Sequence, residues 1–484
     1  MGFTNRRFFF LLFGFFTLLT AWGQPNSEIK GLDLRTAGLS VYAINAEDGH
    51  VLYQTPQISL VPASVMKVIT VTAALELLGA DFQFHTQLGY IGTINRVDSI
   101  LDGDIILKGG CDPAFYSHYF TQHYLGTFEG WADELLKKGI KTVKGDLVVD
   151  ISQLEGQSIP GGWLWEDIGN YYGTGASALT YSDNYYTLHL SSSNVPGERV
   201  SISQITPFVD SLKLINRVVC SAINKDMTSI YGAPGSSNQF IEGSIPCGQA
   251  DFTVKAAMPE PAKIAAAEFM RVLKGKGIVI SGKISIESLP RDSILIIIAD
   301  KRSPQLKDLI VPLNQESINL YAEHLLREVG RKQRGSSSLA QSLNALKEFC
   351  AQREIYTDGF YPTDGSGLSR SNGICTRTLA EMVRSAYRGV NRDYFVKSLS
   401  VAGVSGTLKS AYKGSVLENN LHAKTGSMSR VRSLSGIFTN EFGGKIIFAI
   451  IANNFESSQP EMARSIQGLL EQLYHFQAPN GDLK

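Results

Sequence analysis

Residues 80–290 read differently from the text on either side, and that contrast limits the fold more than any other feature of the chain. Before them, residues 39–44 and 51–54 are short strand-like runs, and Glu47-Asp48-Gly49 between them predicts a hairpin turn. After them, helical periodicity covers 317–331, 339–350 and 377–388. The chain then predicts a strand near Lys424, a strand over 433–439, a turn at Phe442-Gly443-Gly444, a very apolar strand over 445–452 and a helix over 460–474. Neither portion holds a complete sheet alone. The stretch between is rich in Gly, Ser, Asn and Tyr, with short strand-like runs such as 105–107 and 254–256, and helical text only at 132–138 and 261–274. A domain closes its core with whole layers. The expectation is therefore an α/β (α+β) domain over 24–80 and 290–484, split by a mostly β insertion. The insertion is read as one domain over 81–190 and 262–289 with a second, 191–261, nested in it.

Near the start, Pro62-Ala63-Ser64-Val65-Met66-Lys67 leads into residues 68–78, apolar nearly throughout, and Gly79 follows. Proline at the entry and glycine at the exit bound a helix, and a helix apolar on all sides is a buried one. Ser64 thus stands at the mouth of a core helix, where free backbone N–H groups lie. A serine attacks poorly until a neighbouring base takes its proton, and Lys67, three residues on, shares its face. Ser-x-x-Lys recurs at Ser27–Lys30 and Ser410–Lys413, but only Ser64 opens a long apolar helix.

Of 484 residues 43% are hydrophobic and 19% charged, which excludes a disordered chain. Lys+Arg and Asp+Glu number 45 each, so no net field draws in nucleic acid and no such partner is expected. Arg6 and Arg7 precede an apolar run, 8–19, and Ala21-Trp22-Gly23 supplies small residues ahead of Gln24, the pattern of a cleaved signal peptide over 1–23. The alternative, a membrane anchor, needs about 20 apolar residues and this run is shorter. An exported protein without a stable membrane anchor is expected, periplasmic rather than released. Export permits disulfides, and one or two are expected among Cys111, Cys220, Cys247, Cys350 and Cys375, with a thiol left over. The cysteine spacing fits no zinc site, so no metal is expected, and without a Gly-x-Gly-x-x-Gly or Walker loop no cofactor is either. No Gly-x-Ser-x-Gly elbow marks an α/β-hydrolase.

Lys424-Thr425-Gly426-Ser427 occurs once, ahead of the final strand pair. A lysine and two hydroxyls on one strand edge can hold a carboxylate, and Gly426 lets another backbone come close. Ser-x-Asn occurs repeatedly. Ser182-Asp183-Asn184 matches best in letters, but Ser317-Ile318-Asn319 has the better context, after the insertion and at the start of a helix. Ser-x-x-Lys, Ser-x-Asn and Lys-Thr-Gly in that order are the signature of β-lactamases and penicillin-binding proteins.

More than the signature is present. From about residue 37 to 475 the chain resembles the D-alanyl-D-alanine carboxypeptidase/endopeptidase family of low-molecular-mass, class C penicillin-binding proteins. The resemblance rests on Pro62-Ala63-Ser64-Val65-Met66-Lys67, Leu107-Lys108-Gly109-Gly110-Cys111-Asp112-Pro113 and Gly162-Trp163-Leu164-Trp165-Glu166-Asp167. It continues in Ser317-Ile318-Asn319-Leu320-Tyr321-Ala322-Glu323, Asp364-Gly365-Ser366-Gly367-Leu368-Ser369-Arg370 and Ala423-Lys424-Thr425-Gly426. The family also carries a long insertion between its first two motifs. Cys111 departs from it, standing where the family usually continues a glycine run.

The resemblance implies a β-lactamase-like transpeptidase domain acting on peptidoglycan stem peptides, with β-lactam antibiotics as inhibitors. Ser64 would form an acyl-enzyme and Lys67 would be its base, neutral through burial and a second cation, Lys424. Ser317 would relay a proton to the leaving amine, and Asn319 would hold Lys67 and the substrate amide. Lys424, Thr425 and Ser427 would bind the terminal carboxylate beside Gly426, and the N–H groups of Ser64 and Ser427 would form the oxyanion hole. Whether Lys67 or Ser317 is the working base stays open. Asp167 either meets the substrate's free amine or caps a turn among buried tryptophans. Asp364-Gly365-Ser366-Gly367 is expected as a tight loop near the site, Glu323-His324 to face away or pack, and His118 and His123 to be surface or packing residues. Two rival readings are a serine β-lactamase, which carries no such insertion, and a non-catalytic wall-binding protein that keeps the fold.

Overall fold

The strand Lys445–Asn453 is buried along nearly its whole length. Its sequence, apolar at 446–452 without alternation, suits a strand covered on both faces. It pairs antiparallel with Val431–Thr439 on one side and with Gly38–Asn45 on the other, in registers that run end to end. This computed structural model describes residues 37–476, so the expected signal segment lies outside the described residues. The full sheet runs Ser400–Val401, His422–Met428, Val431–Thr439, Lys445–Asn453, Gly38–Asn45, Val51–Gln54. The start and end of the chain therefore complete one sheet, and the split α/β fold holds.

Each face of that sheet has its own cover. Phe448, Ile450 and Ala452 pack with Met462, Ile466, Leu469 and Leu470 of the terminal helix Gln459–Tyr474. Ile447, Ala449 and Ile451 face the main core, built from Lys67–Leu78, Leu306–Gln315, Asn319–Arg334, Leu339–Gln352 and Thr376–Arg388. Lys67–Leu78 is buried from Lys67 through Leu75, the all-round burial its sequence predicts. Its entry differs from expectation. Ser64 lies in a 3-10 turn, Ala63–Met66, and the α-helix begins at Lys67. Leu306–Gln315 is a helix the sequence reading does not mark, because Pro312 interrupts its pattern.

The insertion is rich in sheet. Seven strands form its largest one, from His85–Asn95 and Ile100–Lys108 to Ile284–Glu287, with the helices Thr127–Lys137 and Pro261–Gly275 nearby. Ile296–Arg302 pairs with His85–Asn95 in this sheet, although it follows residue 290. Tyr185–Ser191, Ser201–Thr206 and Phe252–Ala257 make a three-stranded sheet, and short strands between 213 and 246 make two smaller ones. All five cysteines are free, against the expectation of disulfides. Cys111 Sγ lies beside Arg331, Cys375 Sγ faces the Asp358 carbonyl and Cys220 Sγ donates to the Val195 carbonyl. Among the described residues no helix is long and apolar enough to cross a membrane.

One side chain fastens the sheet to the segment that carries Ser64. Asn453, 4% exposed, accepts from the Val61 N–H at 2.8 Å and donates to the Val61 carbonyl at 3.1 Å. Asn453→Ala leaves both backbone groups unpaired, and urea unfolding is expected to show a loss of about 1–3 kcal/mol.

Candidate active site

Ser64, Lys67 and Asn319 meet although Lys67 and Asn319 are 252 residues apart. Lys67 is fully buried, and its Nζ has three neutral partners: Ser64 Oγ at 2.9 Å, Asn319 Oδ1 at 2.6 Å and the Ser366 carbonyl at 2.8 Å. Burial brings the Lys67 ammonium down to about 7, against the opposing pull of the Asp364 and Glu323 carboxylates. Asn319 is held at both ends, since its Nδ2 donates to the Tyr172 carbonyl at 2.8 Å. The insertion thereby touches the residue that holds Lys67.

The second lysine is as deeply placed. Lys424 is fully buried, and its Nζ donates to Ser317 Oγ and to the Thr425 carbonyl, both at 2.9 Å. Burial, and then the charge of Lys67, holds Lys424 well below the usual lysine range. For Lys67 itself the cause is burial rather than the second cation. Ser317 adopts the left-handed backbone, φ +60°, between Leu306–Gln315 and Asn319–Arg334. Such strain in a non-glycine residue costs about 1–3 kcal/mol and clusters at functional sites.

Lys424 to Ser427 lie on His422–Met428, whose outer neighbour pairs only with His422 and Ala423. Beyond that pairing, Ser427 and Met428 line the cleft. Thr425 Oγ1 lies 2.8 Å from Thr407 Oγ1 and Ser427 Oγ 3.3 Å from Gln459 Oε1. A Cβ on Gly426 would come within 2.8 Å of the Pro62 carbonyl and 2.9 Å of the Ser64 nitrogen. Only glycine lets the strand lie so close to Ser64.

These groups open on a cleft of about 440 Å³ that is also lined by Asp167, Tyr171, Tyr185, Lys255 and Arg370. Asp167 hydrogen-bonds Tyr172, and burial and the neighbouring Glu166 raise its carboxyl. The buried-tryptophan setting holds in half, since Trp163 is buried and Trp165 is exposed. His118, expected as a packing or surface residue, lines this cleft and lies 2.6 Å from Asp183. Asn184, of the rival Ser182-Asp183-Asn184, bonds Tyr181 and Gly175 within the insertion.

The Asp364 loop is held from two sides. Asp364 accepts from Gly367, Ser369, Asn372 and the indole of Trp163 at 2.6 to 2.9 Å. Glu323 Oε1 accepts from the N–H groups of Gly365 and Ser366 at 3.1 and 2.9 Å. So Glu323 does pack, but against the loop that holds Lys67. Its one signal in the sequence is its place four residues after Asn319, on the same helical face. The carbonyls of Ser366 and Tyr172 are backbone atoms and left no signal.

A family model described as D-Ala-D-Ala carboxypeptidase 3 (S13) matches residues 27–473. A D-alanyl-D-alanine carboxypeptidase of Actinomadura sp. (strain R39) is 29% identical over 435 residues, 87% of this chain and 79% of that one. The D-alanyl-D-alanine carboxypeptidase DacB of Haemophilus influenzae is 27% identical over 407 residues, 83% of this chain and 82% of that one. The crystal structure of penicillin binding protein 4 (dacB) from Haemophilus influenzae superposes with a TM-score of 0.79 at 25% identity, covering 91% of this chain and 97% of that one. With nearly its whole length matched, the chain belongs to the D-Ala-D-Ala carboxypeptidase 3 (S13) family.

Proposed function

We propose that this serine-type D-Ala-D-Ala carboxypeptidase is exported, works through an acyl-enzyme on Ser64, and also opens peptidoglycan cross-links as an endopeptidase. The observation that carries the mechanism is Ser64 Oγ 2.9 Å from a lysine amine whose partners are all neutral. A neutral Lys67 takes the Ser64 proton as Oγ attacks the carbonyl between two D-alanines. The N–H groups of Ser64 and Ser427 receive the oxyanion, where one donor is worth about 3 kcal/mol. Ser317, bonded to Lys424, passes a proton to the leaving amine as the C–N bond breaks, and water then hydrolyses the ester. Thr425, Ser427 and Lys424 take the terminal carboxylate along the open strand edge, and Asp167 meets the substrate's free amine. The cleft is also lined by Tyr171, Tyr185 and Lys255 of the insertion, side chains able to receive a second strand, which supports endopeptidase work. The unit carrying the chemistry is 24–80 with 290–484, less the strand Ile296–Arg302. The insert, 81–190 with 262–289 and the nested 191–261, reaches the site through Tyr172. β-Lactams bind by acylating the same serine.

Brief exposure to penicillin followed by peptide mapping is expected to leave a stable adduct on the Ser64 peptide, absent in Ser64→Ala. A rapidly lost adduct with hydrolysed drug would instead mark a β-lactamase, and no adduct on folded protein would mark a wall-binding protein. Attack needs neutral Lys67, so acylation is expected to fall as pH drops below about 7 and to level off above it, which stopped-flow rates across pH check. Gly426→Ala is expected to slow acylation about 100-fold and to lower stability by about 1–3 kcal/mol, because its Cβ meets Ser433 Oγ, the Pro62 carbonyl and the Ser64 nitrogen and displaces Ser64 from the oxyanion geometry.

A further inference from the structure

Glu323 is 1% exposed, and its Oε2 has no hydrogen-bond partner among the described residues. A buried carboxylate is expensive unless paired or used. The nearest arginine does not pair with it, because Arg327 gives its guanidinium to the carbonyls of Glu155, Gln157 and Ser337. What Glu323 does hold is the loop: its Oε1 takes the N–H groups of Gly365 and Ser366, while Thr70 Oγ1 donates to the Gly365 carbonyl at 2.7 Å. With both sides of that peptide fixed, the Ser366 carbonyl points at Lys67 Nζ. One turn earlier on the same helix, Asn319 holds Lys67 from the other side.

We propose that Glu323 is a positioning residue for Lys67, fixing the Gly365–Ser366 backbone whose carbonyl anchors the amine and acting on the ammonium through its negative charge. The inference rests on Lys67 serving as base for Ser64. The charged groups facing Glu323 are Asp364 on the loop, Arg327 on its own helix and Lys67, with Lys424 beyond Lys67. Burial and the Asp364 charge raise the Glu323 carboxyl to about 7, with Arg327 opposing. The carboxylate form of Glu323 favours the ammonium form of Lys67, so it delays the appearance of the free amine as pH rises.

The two parts of the role separate by substitution. Glu323→Gln keeps an acceptor oxygen for both N–H groups and removes the charge. Its acid limb of acylation by a fluorescent penicillin is expected about one pH unit lower than in the parent, with the alkaline plateau within a few-fold. Glu323→Asp keeps the charge and withdraws the oxygen from the loop. Its plateau is expected to fall about tenfold or more, with the acid limb at or above the parent's position. Glu328→Gln, on the same helix but paired with Arg331, is the control and is expected to move neither. An unmoved limb in folded Glu323→Gln overturns the charge role. An unchanged plateau in Glu323→Asp overturns the positioning role, and this variant decides that half even where the glutamine variant does not fold. A parent protein that takes no adduct on Ser64 refutes the proposed function instead, and is told apart by that.

Discussion

An ammonium group sealed from water with only neutral partners is the constraint around which this structure is arranged. Lys67 has no exposed surface, and three parts of the chain converge on its Nζ: the 3-10 turn with Ser64, the helix with Asn319 and the loop with Ser366. Burial without a paired charge favours the amine over the ammonium. Carboxylates are near, but they act through the backbone. Asp364 and Oε1 of Glu323 accept from loop N–H groups, and both carboxylates influence Lys67 through space. An ion pair with either would favour the ammonium further and remove the free amine that the proposed base role needs. The interposed loop keeps them at one remove.

The architecture explains how such a group can be assembled. The apolar strand Lys445–Asn453 binds Gly38–Asn45 to Val431–Thr439 and, through the latter, to His422–Met428, and that brings the Ser64 turn beside His422–Met428. Asn453 at its end fastens Val61, and Ser433 Oγ donates to the Pro62 carbonyl from the neighbouring strand. Gly426 closes the gap. A long insertion between Lys67 and Asn319 is tolerated because both its ends return to elements already packed together. Loop-closure entropy grows only slowly with length.

Much of this was legible from residues, and the exceptions share a cause. The terminal strands and helices announce themselves by period, and the context of Ser317-Ile318-Asn319 after the insertion distinguishes it from Ser182-Asp183-Asn184. The structure brings Asn319, not Asn184, to Lys67. What could not be read is held by backbone or by distant pairing. The carbonyls of Ser366 and Tyr172 have no letter of their own, and an acid at position 323 of an amphipathic helix looks like a solvated one. The short 3-10 turn at Ser64 is too brief to leave a period. Ile296–Arg302 belongs with His85–Asn95 through a pairing far beyond any local window. The free thiols follow from position too: Cys350 is on a buried helical face and Cys375 opposite a carbonyl.

The same contacts make the insertion more than an ornament on the cleft. The Tyr172 carbonyl accepts from Asn319 Nδ2, and the Trp163 indole donates to Asp364, so the insertion meets the Lys67 surroundings through two independent partners. Both meet residues that also bond the Lys67 loop or Lys67 itself. A displacement of the 163–172 segment would therefore loosen Asn319 and the Asp364 loop together. Because Asn319 and the Ser366 carbonyl are two of the three partners of Lys67 Nζ, its amine would then be left to Ser64 and solvent. Water entering there would restore the ordinary preference for the ammonium. The insertion thus completes the sealed environment that a neutral lysine requires, and that seal is a physical reason for it to be packed against the site rather than tethered nearby.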